Sequence, residues 1–504
     1  MERITWRRHH KWFGLLFCLF MLMFCWSGIV LNHREAVAGI NVSRKWLPAG
    51  YRFKAWNGGL LRGTLHYTDR DSAIHVLAYG NSGIWRTTPD ASSFEDFNGG
   101  LPEGADYRNI KGMLQTSDGV LLAAGQFGLY RYDNTAWTEI PLPLGEGERL
   151  SDIAARGDTV IVTGRSFLYM ATTPYRDFRQ ITVKAPADYD GKVSLFRTVW
   201  LLHSGEMFGL AGRLLMDVVA VILILLCLTG IVYWLLPKYI RRLRNKGKPV
   251  KNSSRLLKGS LDWHDRLGRY TIVILLSVTF TGWCLRPPVL IALVYGKVPP
   301  VPGTRLDSPN AWNDKLRMLR YDDACGDWLL STSEGFYTLA SPDAVPVRVE
   351  KTPPVSVMGL NVWQKDEKGN WLAGSFSGLF VWDRRHDRVT DYFTGEEAED
   401  AAGPPFGKFA VSGYSADFKG KECVVEYYTG TEELSMPEAF STLPMSLWNL
   451  GLEVHTGRIY TFLGGGTLVY IFFAGPVALW CLWTGYKVRK RHGRHMEKYR
   501  QRTG

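Results

Sequence analysis

Residues 9–28 read HHKWFGLLFCLFMLMFCWSG, and residues 262–282 read DWHDRLGRYTIVILLSVTFTG. His10 stands four residues before Gly14 and eighteen before Gly28; His264 stands four before Gly268 and eighteen before Gly282. Each histidine opens an apolar run of the ~20 residues that a helix needs to cross ~30 Å of hydrocarbon. The construction therefore occurs twice, 254 residues apart. A second pair follows at an offset of 252: LLHSGEMFGLAG around His203 and LEVHTGRIYTFLGG around His455. Each leads into an apolar run that ends near Thr-Gly, at Thr229-Gly230 and Thr484-Gly485. The chain reads as a duplicated helix–insert–helix unit whose two copies enter the membrane in the same direction, a parallel repeat.

The apolar runs are Trp12 to Leu31, Val218 to Leu236 (extended upstream through Met207), Tyr270 to Val294 and Ile459 to Lys487. Pro287 and Pro288 interrupt the third, which predicts a kink or an end there. The first has the basic start of a signal peptide but is long for one and lacks a small-residue cleavage site, so it reads as a retained helix.

The net charge of +12 is clustered. Arg7, Arg8 and Lys11 precede the first run, PKYIRRLRNKGKPVKNSSRLLK follows the second, and KVRKRHGRHMEKYRQR follows the fourth. Basic residues flanking spans mark the cytoplasmic side. The charge is thus a topology signal and excludes a nucleic-acid partner. The expected fold is membrane α plus β, with four transmembrane helices and β-propeller-like extracytoplasmic inserts. Residues 1–34 form the cytoplasmic start and helix 1, 35–200 the first insert, 201–240 helix 2 and 241–262 a basic cytoplasmic loop. Residues 263–296 form helix 3, 297–454 the second insert, 455–488 helix 4 and 489–504 a basic cytoplasmic tail. The expected location is a bacterial inner membrane, with both termini cytoplasmic and the inserts periplasmic.

The inserts carry a shorter repeat. DGVLLAAGQFGLYRYD from Asp118 matches KGNWLAGSFSGLFVWD from Lys368, and weaker copies lie near Trp85, Tyr169 and Tyr337. A turn, an apolar strand, a Gly-containing turn and an aromatic-bearing strand, recurring about every 40 residues, suggest propeller blades. They resemble the propeller repeats in the outer parts of bacterial two-component sensors. Three blades are expected from the first insert and two from the second, with a degenerate sixth around CVVEYY at Cys423. A pair of unrelated β-sandwiches is the alternative. Of the seven cysteines only Cys325 and Cys423 lie in the inserts, and a disulfide between them is the less favoured reading. No CxxC or CxxCH is present, so attached c-type haem is unsupported.

Histidines in or beside membrane spans are costly and point to function. His10 and His264 lie where helices leave the cytoplasm; His203 and His455 lie where helices return. Two imidazoles on facing helices can hold one haem iron axially. The expected inner pair is His10 with His264. On the outer side His203 is paired with His455 or with His33, which breaks the repeat because Pro287 occupies the matching position. His9 reads as an interfacial polar residue, and Arg213 with Asp217 as an i, i+4 ion pair. The glycines read either as room for a flat macrocycle or as helix-packing positions.

The stretches HHKWFGLLFCLFMLMFCWSGIV, LHSGEMFGLAGRLLMDVVAVILILLCLTGIVYWLLP and DWHDRLGRYTIVILLSVTFTG resemble the PepSY-associated transmembrane helix family. The resemblance covers the four helices and implies a cytoplasmic-membrane haem protein. Some such proteins reduce ferric siderophores on the outer face. Carried over, it makes His10, His203 and His264 the leading ligands of one or two haem b groups. No PepSY segment is found in the inserts, where the propeller-like repeats stand instead. The function expected is transmembrane electron transfer from a cytoplasmic or quinol donor to an extracytoplasmic ferric chelate, in a protein embedded in membrane lipid. No flavin or NAD fingerprint appears. The alternative is a non-enzymatic, membrane-anchored propeller that binds or senses an outer ligand.

Overall fold

The computed structural model describes residues 3–69, 71–356, 358–399 and 409–488; the basic tail, with His492 and His495, lies outside them. The chain forms two compact units. One gathers Met1–Glu35, Gly191–Asp307 and Trp448–Gly504, and the other Ala36–Asp190 and Ser308–Leu447.

The first unit is helical. Its helices are α1 (Arg3–Asn32), α2 (Leu195–Ser204), α3 (Gly209–Asn245), α4 (Lys251–Tyr270), α5 (Ile272–Cys284), α6 (Val289–Val294), α7 (Leu447–Thr456) and α8 (Gly466–Val488). Among the described residues three segments are long and apolar enough to cross a membrane: Ile4–Asn32, Glu206–Asn245 and Val469–Val488. Helices α4 and α5 meet at a bend of 68° and count as one more span only if taken together. At the bend a side chain bonds back to the preceding turn. The Thr271 hydroxyl donates to the Leu267 carbonyl at 2.7 Å, and the Thr271 N–H donates to the same oxygen at 3.1 Å. Such back-bonding perturbs the helical ladder and bends helices. Downstream, Pro287 and Pro288 separate α5 from α6, as residues without an N–H should.

Two sequence expectations need correction. Residues 241–262 are not a loop: α3 runs on to Asn245 and α4 starts at Lys251. The segment is rich in Arg, Lys and Leu, all good helix formers, and only Gly247, at φ 66°, and Pro249 interrupt it. The expected continuous helices over 201–240 and 455–488 are also broken. Ten-residue helices α2 and α7 each carry a histidine, His203 or His455, one residue before their end, ahead of the long helix. Glycines at positive φ make both breaks: Gly205 and Gly209 after α2, Gly457 and Gly464 after α7.

The second unit is built of antiparallel sheets. The first insert supplies three four-stranded meanders, spanning 63–96, 110–140 and 150–181; the second supplies two, spanning 316–348 and 362–391, and a two-stranded sheet over 411–426. The sequence repeats fall on second and third strands: Leu121–Gly125 with Leu129–Tyr132, and Trp371–Ser375 with Gly378–Asp383. These second strands are buried along their whole length, so both faces are covered and apolar residues run on without alternation. Neighbouring sheets share cores in chain order. Leu77 and Ile84 pack with Ile110 and Leu121, Leu122 with Val160, Ile161 with Leu319, Leu329 with Trp363, and Leu372 with Val411. Cys423 and Val425 of the last sheet pack with Val76 and Ala78 of the first. Cys325 is exposed, Cys423 is buried, and both are free thiols. The start of the first insert and the end of the second are joined by a short ladder, Asn41 opposite Ser446 and Val42 opposite Met445.

Candidate functional site

Helix α1 packs against α3 and α8, α5 packs against α8 and α2, and α3 packs against α4. This arrangement gathers four histidines of the helical unit into two pairs. The His10 and His264 ring centroids are 5.9 Å apart, with their planes at 65°. Those of His203 and His455 are 6.1 Å apart, at 52°.

In all four rings Nδ1 lies against an oxygen of another helix. His203 Nδ1 lies 3.1 Å from the Val278 carbonyl and 3.3 Å from Thr281 Oγ1. His455 Nδ1 lies 3.1 Å from the Phe24 carbonyl and 3.0 Å from Ser27 Oγ. His10 Nδ1 lies 3.0 Å from the Cys481 carbonyl, and His264 Nδ1 lies 3.0 Å from Thr229 Oγ1. A carbonyl only accepts, so Nδ1 carries the proton in His10, His203 and His455. The hydroxyl of Thr229 spends its own proton on the Leu225 carbonyl at 2.6 Å and therefore accepts from His264. Ser27 likewise donates to Met23, and Thr281 to Ser277. An Nδ1–H tautomer directs the lone pair to Nε2, the arrangement in which an outer partner orients a metal-ligating imidazole.

Thr281, Ser27 and Thr229 are each followed by a glycine, as is Thr484, whose hydroxyl donates to the Cys481 carbonyl at 2.9 Å, and each of these glycines faces a ring. A Cβ on Gly282 would stand 2.8 Å from His203 Cε1, and one on Gly485 would stand 2.8 Å from His10 Cε1. At Gly28 and Gly230 the corresponding distances, to His455 and His264, are 3.6 Å. The Ser/Thr–Gly pairs are thus seats for the histidines. Their regular offsets in the sequence were the available signal; the acceptor role of Ser27, Thr229 and Thr281 was missed.

The two imidazoles of each pair, with ring centroids 5.9 and 6.1 Å apart, would be near enough to hold one metal-bearing group between them. Among the described residues no group of three or more His, Cys, Asp or Glu is arranged to hold a metal ion. A pair of imidazoles is instead the ligand set of an iron already held in a macrocycle. Seventeen residues separate His10 from Ser27 on α1, which spaces the two sites by about 25 Å along the helix.

His33 stands elsewhere. Its Nε2 is 2.6 Å from Asp217 Oδ2, and Asn32 Nδ2 donates to Asp217 Oδ1 at 3.3 Å. Asp217 thus faces the end of α1, where an i, i+4 contact with Arg213 was expected; Arg213 donates to the Asn32 carbonyl at 3.4 Å. His9 lies against Phe13 and Trp480. In the β-rich unit His66, His75 and His386 stand beside Asp417, Asp69 and Asp383. A residue not foreseen is Arg286, between α5 and α6. It donates to the carbonyls of His455, at 2.5 Å, and Thr456, at 3.4 Å, and so sets a cation beside the His203–His455 pair.

Residues 1–236 match the family model of the PepSY-associated TM region, the family that the sequence resembles. The chain is a membrane protein of helices and β-rich structure. No curated protein sequence matches it. Among solved structures, it is similar to the extracellular domain of BT4673 from B. thetaiotaomicron, described in one structure as a hybrid two component system and in another as a one component system. For the first, identity is 10% and the TM-score 0.33, with 75% of this chain and 38% of that chain covered. For the second they are 11% and 0.32, with 75% and 39% covered. The chain therefore spans about two fifths of the length of either.

Proposed function

We propose that this chain is a haem-binding electron-transfer protein of the bacterial inner membrane that reduces an extracytoplasmic ferric chelate. The support is the fourfold seat, in which a histidine Nδ1 rests on an acceptor near a glycine and a second histidine ring stands about 6 Å away. His10 with His264 and His203 with His455 would each hold one haem b. A haem so bound supplies one-electron iron chemistry. The protein's part is ligation, orientation and burial: the carbonyls of Val278, Phe24 and Cys481 fix the ring tautomers, and the glycines let the rings sit close to the neighbouring helix.

In this reading α4 and α5 complete a fourth span, and the basic residues from Lys238 to Lys258 lie in the cytoplasm. His10 and His264 then face the cytoplasmic donor or quinol, and His203 and His455 face the periplasm. The two inserts form one six-bladed propeller, supported by the six shared cores that run from sheet to sheet and back to the first. Stopped-flow mixing of the chemically reduced protein with ferric citrate and with a ferric hydroxamate tests the activity. Reoxidation that saturates with chelate concentration is the expected result. Reoxidation by oxygen alone, unaffected by either chelate, would refute the reductase role.

A further inference from the structure

The leading strands of the five four-stranded sheets converge on a cavity of ≈ 390 Å³, lined by Arg62, Lys111, Asp152, Arg320, Asn361 and Trp363 among others. That volume lies in the range of small-molecule sites. Arg62, Lys111, Arg320 and Asp152 are charged residues of this lining. Asp152 is already engaged: both its oxygens accept from the Arg320 guanidinium, and the Leu319 N–H donates to it at 3.2 Å. Arg62 differs. Its Nη1 donates to the Ile110 carbonyl at 2.5 Å and to Asn109 Oδ1 at 3.3 Å, both neutral acceptors. No carboxylate pairs with Arg62 among the described residues, and its Nε and Nη2 donors remain for a guest. Lys111 lines the same wall from the adjacent sheet.

A guanidinium taken out of bulk water without a counter-anion is costly, because neutral acceptors replace hydration without cancelling the charge. Arg62 is half-buried and lines the cavity. Burial lowers its pKa, the direction expected of a cation lacking an anionic partner. We propose that this cavity binds a small solute bearing carboxylate or phosphate oxygens, with Arg62 as the anchoring cation and Lys111 as a second contact. Charge-assisted, bidentate pairing with oxyanions is the recognition for which a guanidinium fork is suited. The inference concerns the β-rich unit alone and stands or falls independently of the haem reading.

Isothermal titration calorimetry of the full-length protein in detergent, with citrate and separately with inorganic phosphate, tests it. A saturable site is expected for at least one probe, weakened tenfold or more in Arg62→Gln and in Lys111→Gln. Citrate binding alone would identify a carboxylate site, and phosphate binding alone a phosphate site. Far-UV circular dichroism and thermal unfolding decide whether each variant is folded. If Arg62→Gln does not fold, Lys111→Gln decides: weakened binding at unchanged melting temperature supports the site, and unchanged binding overturns it. Absence of saturable heat with both probes, or full affinity in a folded Arg62→Gln, overturns it as well.

Discussion

Adding one methyl group to each of the four histidine seats should divide them into two classes. A Cβ at Gly282 or Gly485 would lie 2.8 Å from a histidine Cε1, whereas one at Gly28 or Gly230 would lie at 3.6 Å. Carbon atoms settle at about 3.5–4.0 Å, so Gly282→Ala must push the His203 ring by about 0.7 Å or more. Overpacking of this kind costs about 1–3 kcal/mol. Displacing Nδ1 from the Val278 carbonyl, now at 3.1 Å, gives up about 1 kcal/mol more. A penalty of about 2–4 kcal/mol corresponds to roughly 30- to 1,000-fold in affinity for whatever the ring ligates. Gly28→Ala and Gly230→Ala meet only ordinary contact and should be close to neutral. The assay is the haem content and Soret spectrum of the four purified variants. Gly282→Ala should disturb one site and Gly485→Ala the other, while Gly28→Ala and Gly230→Ala keep the parent spectrum. Four indistinguishable variants would refute the seat geometry.

Arg286 should raise the midpoint potential of the site beside it, because a nearby cation favours the reduced, less positive iron. A unit charge at about 10 Å in a medium of effective dielectric constant about 20 contributes about 1.7 kcal/mol, or about 70 mV for one electron. A spectroelectrochemical titration of Arg286→Gln should therefore show one potential lowered by that order and the other unchanged. In the β-rich unit, burial would raise the pKa of Asp322, but hydrogen bonds from Trp371, Arg384 and Lys365 outweigh it and hold the value to about 2. A depressed carboxylate contributes stability above its unfolded pKa, about 4, and loses it as pH falls through about 2. Arg384 donates to Asp322 at 2.7 Å and to both oxygens of Asp327 at 2.8 Å. Arg384→Ala should cost about 3 kcal/mol at pH 7, read as a lower melting temperature, and the deficit should shrink toward pH 2. His33→Gln removes the 2.6 Å contact with Asp217. It should leave both haem signals intact, whereas loss of a haem in that variant would reinstate His33 as a ligand.

What could be read from the sequence follows the range of the forces involved. Membrane-length apolar runs and their basic flanks are local, so the long helices stood out. The strand repeats at Asp118 and Lys368 were equally visible, because fully buried second strands need continuous apolar residues. The helix breaks were harder. Gly205, Gly209, Gly457 and Gly464 could have been packing glycines, and only their positive φ values identify them as interruptions. The helical course of 241–262 was hidden by its charge, which suggested a solvated loop although Arg, Lys and Leu favour helix. The partner of His33 was out of reach, since Asp217 lies 184 residues away and the nearer Arg213 offered a local pairing. The role of the Ser/Thr–Gly pairs was similarly concealed, because each serves a histidine on a different helix.

In the proposed function two imidazole pairs each hold one haem. A pyridine haemochrome count on the full-length protein, expressed with ample haem and compared with His264→Ala and His203→Ala, tests it most directly. Two haems b per chain are predicted in the parent, with one lost in each variant and a different one in each case. A folded parent protein that carries no haem, or a pair of variants that keep the parent's full complement, would contradict it.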